Sequence, residues 1–181
     1  DGGAVCFNHN NNNWIDTING IYENNEALNG RGGAVYFSDK IQIDYIESTY
    51  TSNKAKFGGA IAILGSLGGN IGGLTKFINN EANDSGGAVY MQTFISGHTL
   101  FADYTSNSAT NLGGAIYVVD AANGGITFNG RYEGNNAGAG SGVVDFSDAT
   151  AAHLVFKGDY IANNPKTTNR AEISTIKQNI D

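Results

Sequence analysis

The chain is poor in the residues that usually staple or break a fold. Its 181 residues include one cysteine, one proline, one tryptophan and one methionine. The lone Cys6 excludes an internal disulfide framework and any cysteine-based zinc site. Charge is also scarce, with 10 basic residues against 17 acidic ones. A net charge of −7 with so few Lys and Arg argues against a nucleic-acid partner, because binding a phosphate backbone needs clustered cations. No stretch approaches the roughly 20 apolar residues of a membrane-spanning helix, so this segment is expected not to span a membrane. No basic-then-apolar leader opens the chain, and residue 1 already lies inside a pattern that recurs, so it reads as a segment of something longer.

What the chain has in excess is glycine, 26 residues, and asparagine, 24. Many of both fall into two interleaved strings. Gly-Gly-Ala followed by Val or Ile begins at Gly2, Gly32, Gly58, Gly86 and Gly113, and Ser141-Gly142-Val143-Val144 is a decayed copy. Between these runs aromatic-x-x-Asn, from Tyr22, Tyr50, Phe77, Tyr104, Tyr132 and Tyr160, at spacings of 27 or 28 residues. Five copies extend by x-Ala, through Ala27, Ala55, Ala82, Ala109 and Ala137, and the sixth has Pro165 there. The repeats lie near 2–31, 32–57, 58–85, 86–112, 113–140 and 141–170, with 171–181 a partial last coil, and leave no room for a second domain.

Within each repeat the local signal is strand. After Gly-Gly-Ala the first and third positions are apolar in every copy (Val5/Phe7, Val35/Phe37, Ile61/Ile63, Val89/Met91, Ile116/Val118, Val144/Phe146), whereas the middle one varies. That is a period of two with one buried face. A second short strand precedes each aromatic, as in Ile126-Thr127-Phe128, and the aromatic string makes a third. Three strands per period, in fixed register from copy to copy, predict an all-β, right-handed parallel β-helix of about six coils. A hairpin sandwich gives strands of this length but has no reason to repeat one residue at one offset every third strand.

Stacked coils turn repeats into columns. Asn25, Asn53, Asn80, Asn107, Asn135 and Asn163 are expected to form an amide ladder at a turn, the other reading being a polar contact row on the surface. The Gly pairs read as corners needing positive φ or close backbone approach. The aromatic rings are expected inside, with any hydroxyl near the edge. Just before the aromatic, Lys76, Asp103, Arg131 and Asp159 alternate in sign and should be cross-strand neighbours. Tyr36, Tyr90 and Tyr117 occupy the middle, outward column of the Gly-Gly-Ala strand and form a candidate contact face.

Residues that could carry chemistry are scattered. Asp120, Asp145 and Asp148 could make a small acidic group of the kind a polysaccharide lyase or hydrolase needs, but no basic partner shares their strand positions. His9, His98 and His153 sit at different offsets without metal-ligand spacing. Gly138 to Gly142 lacks a P-loop lysine, Asn8 to Asn13 reads as a protruding polar loop, and Asn83-Asp84-Ser85 is a glycosylation-type sequon. No catalytic residue, cofactor site or metal site is assigned, and no enzymatic activity is expected.

Gly-Gly-Ala-[Ile/Val] alternating with Phe-x-x-Asn resembles the repeat of the chlamydial polymorphic outer membrane proteins, which are autotransporter adhesins. The matching residues are Gly32, Gly33 and Ala34; Gly58, Gly59 and Ala60; Gly86, Gly87 and Ala88; Gly113, Gly114 and Ala115; and Phe77 with Asn80, the one literal Phe-x-x-Asn. Five copies have Tyr in place of Phe. The resemblance implies a β-helical autotransporter passenger at the cell surface, extracellular, with both strings tied to adhesion. The function expected is therefore a non-enzymatic adhesin or stalk segment whose partner is a host-cell receptor protein or glycan. The alternative is a fibre or sheath subunit that stacks end to end on identical subunits, and less favoured is a polysaccharide lyase or hydrolase.

Overall fold

The computed structural model describes residues 1–8, 14–39, 41–94, 98–120, 125–148 and 153–165. Every regular element among them is a strand, and every strand pairing is parallel, between one repeat and the next. A thirteen-stranded sheet holds the Gly-Gly-Ala strands and the aromatic strands together, because in the third coil these merge into one strand, Ile61–Ile78. A six-stranded sheet stacks the short strands that follow the ladder asparagines, from Glu26–Arg31 to Asn164–Pro165. Six copies lie in each column, giving a β-solenoid of about five turns, close to the six coils expected.

The register is the one the repeats impose. Val5, Val35, Ile61, Val89, Ile116 and Val144 are successive Cα partners, and so are Phe7, Phe37, Ile63, Met91, Val118 and Phe146. Both rows point into one continuous core, completely covered in the middle coils and partly covered at Val5, Phe7 and Phe146 in the end coils. A one-residue slip would move each strand's apolar set to solvent, so burial fixes the register.

The two glycines of each corner do different work. The first holds φ between 62° and 72° at Gly2, Gly32, Gly58, Gly86 and Gly113, where a side chain is strained. The second has ordinary φ but no space: a Cβ on Gly33, Gly59 or Gly87 would sit 2.0–2.2 Å from the carbonyl oxygen of the equivalent glycine in the next coil. The third residue, Ala34, Ala60, Ala88 or Ala115, is fully buried.

Another corner carries a feature the repeat strings do not reveal. The residue immediately before each ladder asparagine is left-handed in all six copies, with φ of 49–63° at Asn24, Ser52, Asn79, Ser106, Gly134 and Ala162. Only Gly134 takes this conformation without cost, and Asn tolerates it better than Ser or Ala.

Candidate functional site

The most regularly repeated geometry of the molecule is its asparagine column. Asn53 donates from its backbone N–H and from Nδ2 to Oδ1 of Asn80, both at 3.0 Å. Asn80 does the same to Asn107, Asn107 to Asn135, and Asn135 to Asn163, at 2.9–3.0 Å throughout. The remaining Nδ2 hydrogen reaches the other way, to the carbonyl of the aromatic one coil back: Asn80 to Tyr50 and Asn107 to Phe77, each at 3.0 Å. Each central amide thus gives two hydrogen bonds and accepts two, its full capacity. Asn53, Asn80, Asn107 and Asn135 have no exposed surface, which excludes the contact-row reading and leaves the ladder.

The aromatic column is equally internal. Tyr22, Tyr50, Phe77, Tyr104, Tyr132 and Tyr160 stack with centroids 4.8–5.0 Å apart and ring planes within 12°. That distance is the spacing between strands, so the backbone sets the stack. The hydroxyls do not reach the edge as expected: those of Tyr50, Tyr104 and Tyr132 are buried with no hydrogen-bond partner. Burial pushes the phenols of Tyr104 and Tyr132 far above their ordinary range. In the end coil the Tyr160 hydroxyl does find partners, donating to the backbone carbonyls of Phe128 and Lys157.

These placements change the meaning of the motif residues. Gly32, Gly33, Ala34, Gly58, Gly59, Ala60, Gly86, Gly87, Ala88, Gly113, Gly114, Ala115, Phe77 and Asn80 are all buried. They build the coil and touch nothing outside it.

The expected tyrosine face is also corrected. Tyr36 is 5% exposed and Tyr90 9%, and only Tyr117 keeps a partly open side chain. Together with Ala62, Phe57, Leu64 and Val119 they make a second, smaller hydrophobic cluster outside the solenoid wall. Phe57, just before the Gly58 corner, folds back onto Tyr90 at 5.2 Å, and Tyr90 meets Tyr117 at 5.7 Å. A sequence gives the direction of this column but not the ring that arrives from the preceding corner.

The opposite situation holds on the outward side of the aromatic strands. Ile21, Tyr45, Leu74, Phe101, Val155 and Ile161, six of the seven large apolar residues more than one third exposed among the described side chains, all lie there. At its middle the register breaks. Leu100 pairs with Ile71 and Ala102 with Thr75, so Gly72, Gly73 and Leu74 face Phe101 alone. On the other flank Ile46 pairs with Ile71 and Thr49 with Lys76, again leaving the third coil two residues longer. The Phe101 ring lies on bare backbone: a Cβ on Gly73 would be 2.7 Å from Cε1. Beside it the Glu47 side chain runs along Gly72, with Cγ 3.1 Å from where a Cβ would stand. A Gly-Gly-Leu run inside a strand was the available signal for this bulge.

The charged column is in register, with Lys76 opposite Asp103 and Arg131 opposite Asp159. The Arg131 guanidinium nevertheless pairs within its own strand, Nε to Glu133 Oε2 at 2.8 Å, while its backbone N–H donates to Asp103. Lys54 and Glu81, one column past the ladder, make the other ion pair at 3.1 Å. Both pairs are half-exposed and contribute little.

The scattered acids and histidines do not converge. Asp145 is buried and accepts the N–H groups of Ser141 and Phe146, tying down the last corner. Asp120 is exposed and its Cα partner is Asp148. Among the described residues no three His, Cys, Asp or Glu could hold a metal ion. His153 is exposed at the start of its strand, the His98 side chain and His9 lie outside the described residues, and so do positions 9–13 of the polar insertion. Asn83 of the sequon is exposed, and Cys6 is an exposed free thiol.

The buried columns are also where the chain can be compared with known proteins. Residues 75–92 and 105–119 match the Chlamydia polymorphic membrane protein repeat. The chain carries repeats of that type. The matched stretches contain Phe77, Asn80 and Asn107 and the corners at Gly86 and Gly113, the parts that make the ring stack, the ladder and the close backbone approach. No curated protein and no solved structure matches the chain. No helix among the described residues is long and apolar enough to cross a membrane.

Proposed function

We propose that the chain is a non-enzymatic segment of a cell-surface adhesin, a β-solenoid stalk that displays binding surface outside the cell. The observation that carries this reading is the coincidence of the polymorphic membrane protein repeat with the buried ladder and stacked corners. Residues retained from coil to coil are spent on architecture, which frees the outward positions to vary, as a display scaffold requires. Antibody raised against the purified chain should label intact cells, and mild surface proteolysis should remove the label. Purified chain should bind target cells saturably. Labelling only after permeabilisation, or no saturable binding to any cell tested, defeats the proposal.

A second reading, a subunit of a stacked fibre, draws on the direction of the ladder. From amide to amide each bond runs one way, Nδ2 donating to Oδ1 of the higher-numbered coil while the second Nδ2 hydrogen goes back to a backbone carbonyl, so the ladder has a direction and coils add head to tail. Head-to-tail contacts that do not close generate filaments. Light scattering across a concentration series discriminates: growth in mass with concentration favours the fibre, and a constant monomer mass favours the stalk.

A further inference from the structure

Two of the apolar side chains left in solvent, Leu74 and Phe101, meet where the strand register breaks, and that coincidence has a physical cost. Leu74 is 73% exposed and Phe101 44%, so neither contributes much to the core, and a two-residue bulge disrupts the ladder of backbone hydrogen bonds on both flanks. Bulges re-aim side chains, and exposed apolar patches rimmed by polar groups mark contact sites. Here the Phe101 ring packs its Cδ1, Cε1 and Cζ atoms against Gly73 and keeps 44% of the residue's surface in solvent.

We infer that this bulge is a binding platform for a neutral pyranose sugar, with the exposed ring of Phe101 stacking on the sugar's C–H face and Glu47 accepting hydrogen bonds from its hydroxyls. The inference rests on the surface-display reading and names its partner class. Its chemistry favours a neutral glycan over other occupants. The margin of the ring is made of acceptors and amides: Glu47 on Gly72, Asp103 two residues along the strand, and Asn129 as the Cα partner of Phe101. Two cations flank Asp103 from the neighbouring coils, and both face acids: Lys76 is the Cα partner of Asp103, and the Arg131 guanidinium is held by Glu133. With the chain at −7 overall, a sialylated or sulfated glycan would be repelled. A partly exposed ring packed on glycine presents apolar surface that fits a pyranose, and the carboxylate beside it suits adjacent hydroxyls. Glu47 and Phe101 stand two coils apart, about 10 Å by strand spacing, so the ligand lies along the solenoid axis.

The test uses the purified chain and a panel of neutral hexose and N-acetylhexosamine disaccharides, with sialyllactose as the acidic member, read by calorimetry and by NMR shifts. At least one neutral disaccharide should bind, and more tightly than sialyllactose. Phe101→Ala should weaken it by about tenfold, whereas Phe101→Trp should keep it. Glu47→Gln should weaken binding severalfold without altering the melting temperature. No binding to any neutral sugar, equal binding by Phe101→Ala, or preference for sialyllactose overturns the inference. If cell binding survives glycan removal and is lost on proteolysis, the partner is a protein, which overturns the sugar while leaving the adhesin reading intact. If sugar binds and cells do not, the platform stands and the adhesin reading falls.

Discussion

The two outward surfaces of the same sheet treat their apolar residues in opposite ways. Along the Gly-Gly-Ala strands Tyr36 and Tyr90 are covered by one another's neighbours, with Phe57 folded over from the corner. Along the aromatic strands Tyr45, Leu74 and Phe101 stay in solvent. The strands have the same parallel pairing and the same alternation, so propensity does not make the difference. What differs is what borders each strand. A tight corner brings Phe57 onto Tyr90 of the next coil on the first surface, and on the second an added pair of residues breaks the pairing instead. One surface therefore adds to stability, and the other is free to change without unfolding the molecule.

Substitutions can sharpen or break that contrast, and the largest effect is expected at the corner that starts the covered surface. Gly87→Ala would drive a Cβ to 2.0 Å from the Gly114 carbonyl oxygen, against backbone that cannot move aside. A loss of about 4 kcal/mol or more is expected in urea unfolding, among the largest that single changes produce. Asn107→Ala leaves the Asn80 backbone N–H and amide and the Phe77 carbonyl short of partners in the preceding coil, and takes one donor from Asn135 Oδ1 in the next. It should cost roughly 2–4 kcal/mol, and Asn25→Ala at the ladder's end less. An unshifted melting temperature for Asn107→Ala would remove the ladder from the account of stability.

Tyr90→Ala, in the covered cluster, should cost about 2–3 kcal/mol by emptying a packed site. If it costs no more than Leu74→Ser, the two surfaces do not differ in the way described. Tyr104→Phe should stabilise by about 1 kcal/mol, because it removes a buried hydroxyl that has no partner. The same hydroxyls give a pH dependence. Above about pH 10 the unfolded chain releases the protons of Tyr104 and Tyr132 while the folded chain retains them, so stability falls by about 1.4 kcal/mol per pH unit for each. Below that pH the two states bind these protons equally and the effect vanishes. Alkaline melts of Tyr104→Phe should therefore show a shallower decline. The smallest effect is expected at Leu74→Ser, within about 0.5 kcal/mol, since its side chain is mostly in water already.

The columns were legible in the sequence because stacking demands like residues at like offsets. Asn80 and Asn107, Val89 and Ile116, and Gly86 and Gly113 reveal coil, register and inward face through spacing alone. Three features were not legible, each for a physical reason. The left-handed residue before the ladder tolerates Asn, Ser, Gly or Ala, so no single letter marks it. The covering of Tyr36 and Tyr90 depends on where Phe57 swings after a turn, a three-dimensional fact with no period. The platform at Phe101 arises from a departure from the repeat, and an alignment built on the repeat averages it away. The contact surface was thus sought among regular positions, whereas Leu74 and Phe101 stay exposed together at an irregular one.

The direction of the amide ladder has a mechanical side. Each coil holds on to the next through one asparagine, one ring and short strand pairings, and no disulfide spans the coils. A pull on either end loads these contacts one after another, because a coil touches only its neighbours. Yielding would proceed by peeling, with each coil releasing 27 or 28 residues. Fully drawn out, that is about 90–100 Å of chain per event. A tether built this way lengthens in steps under load and leaves the remaining coils standing, and single-molecule stretching should resolve those steps as a regular series.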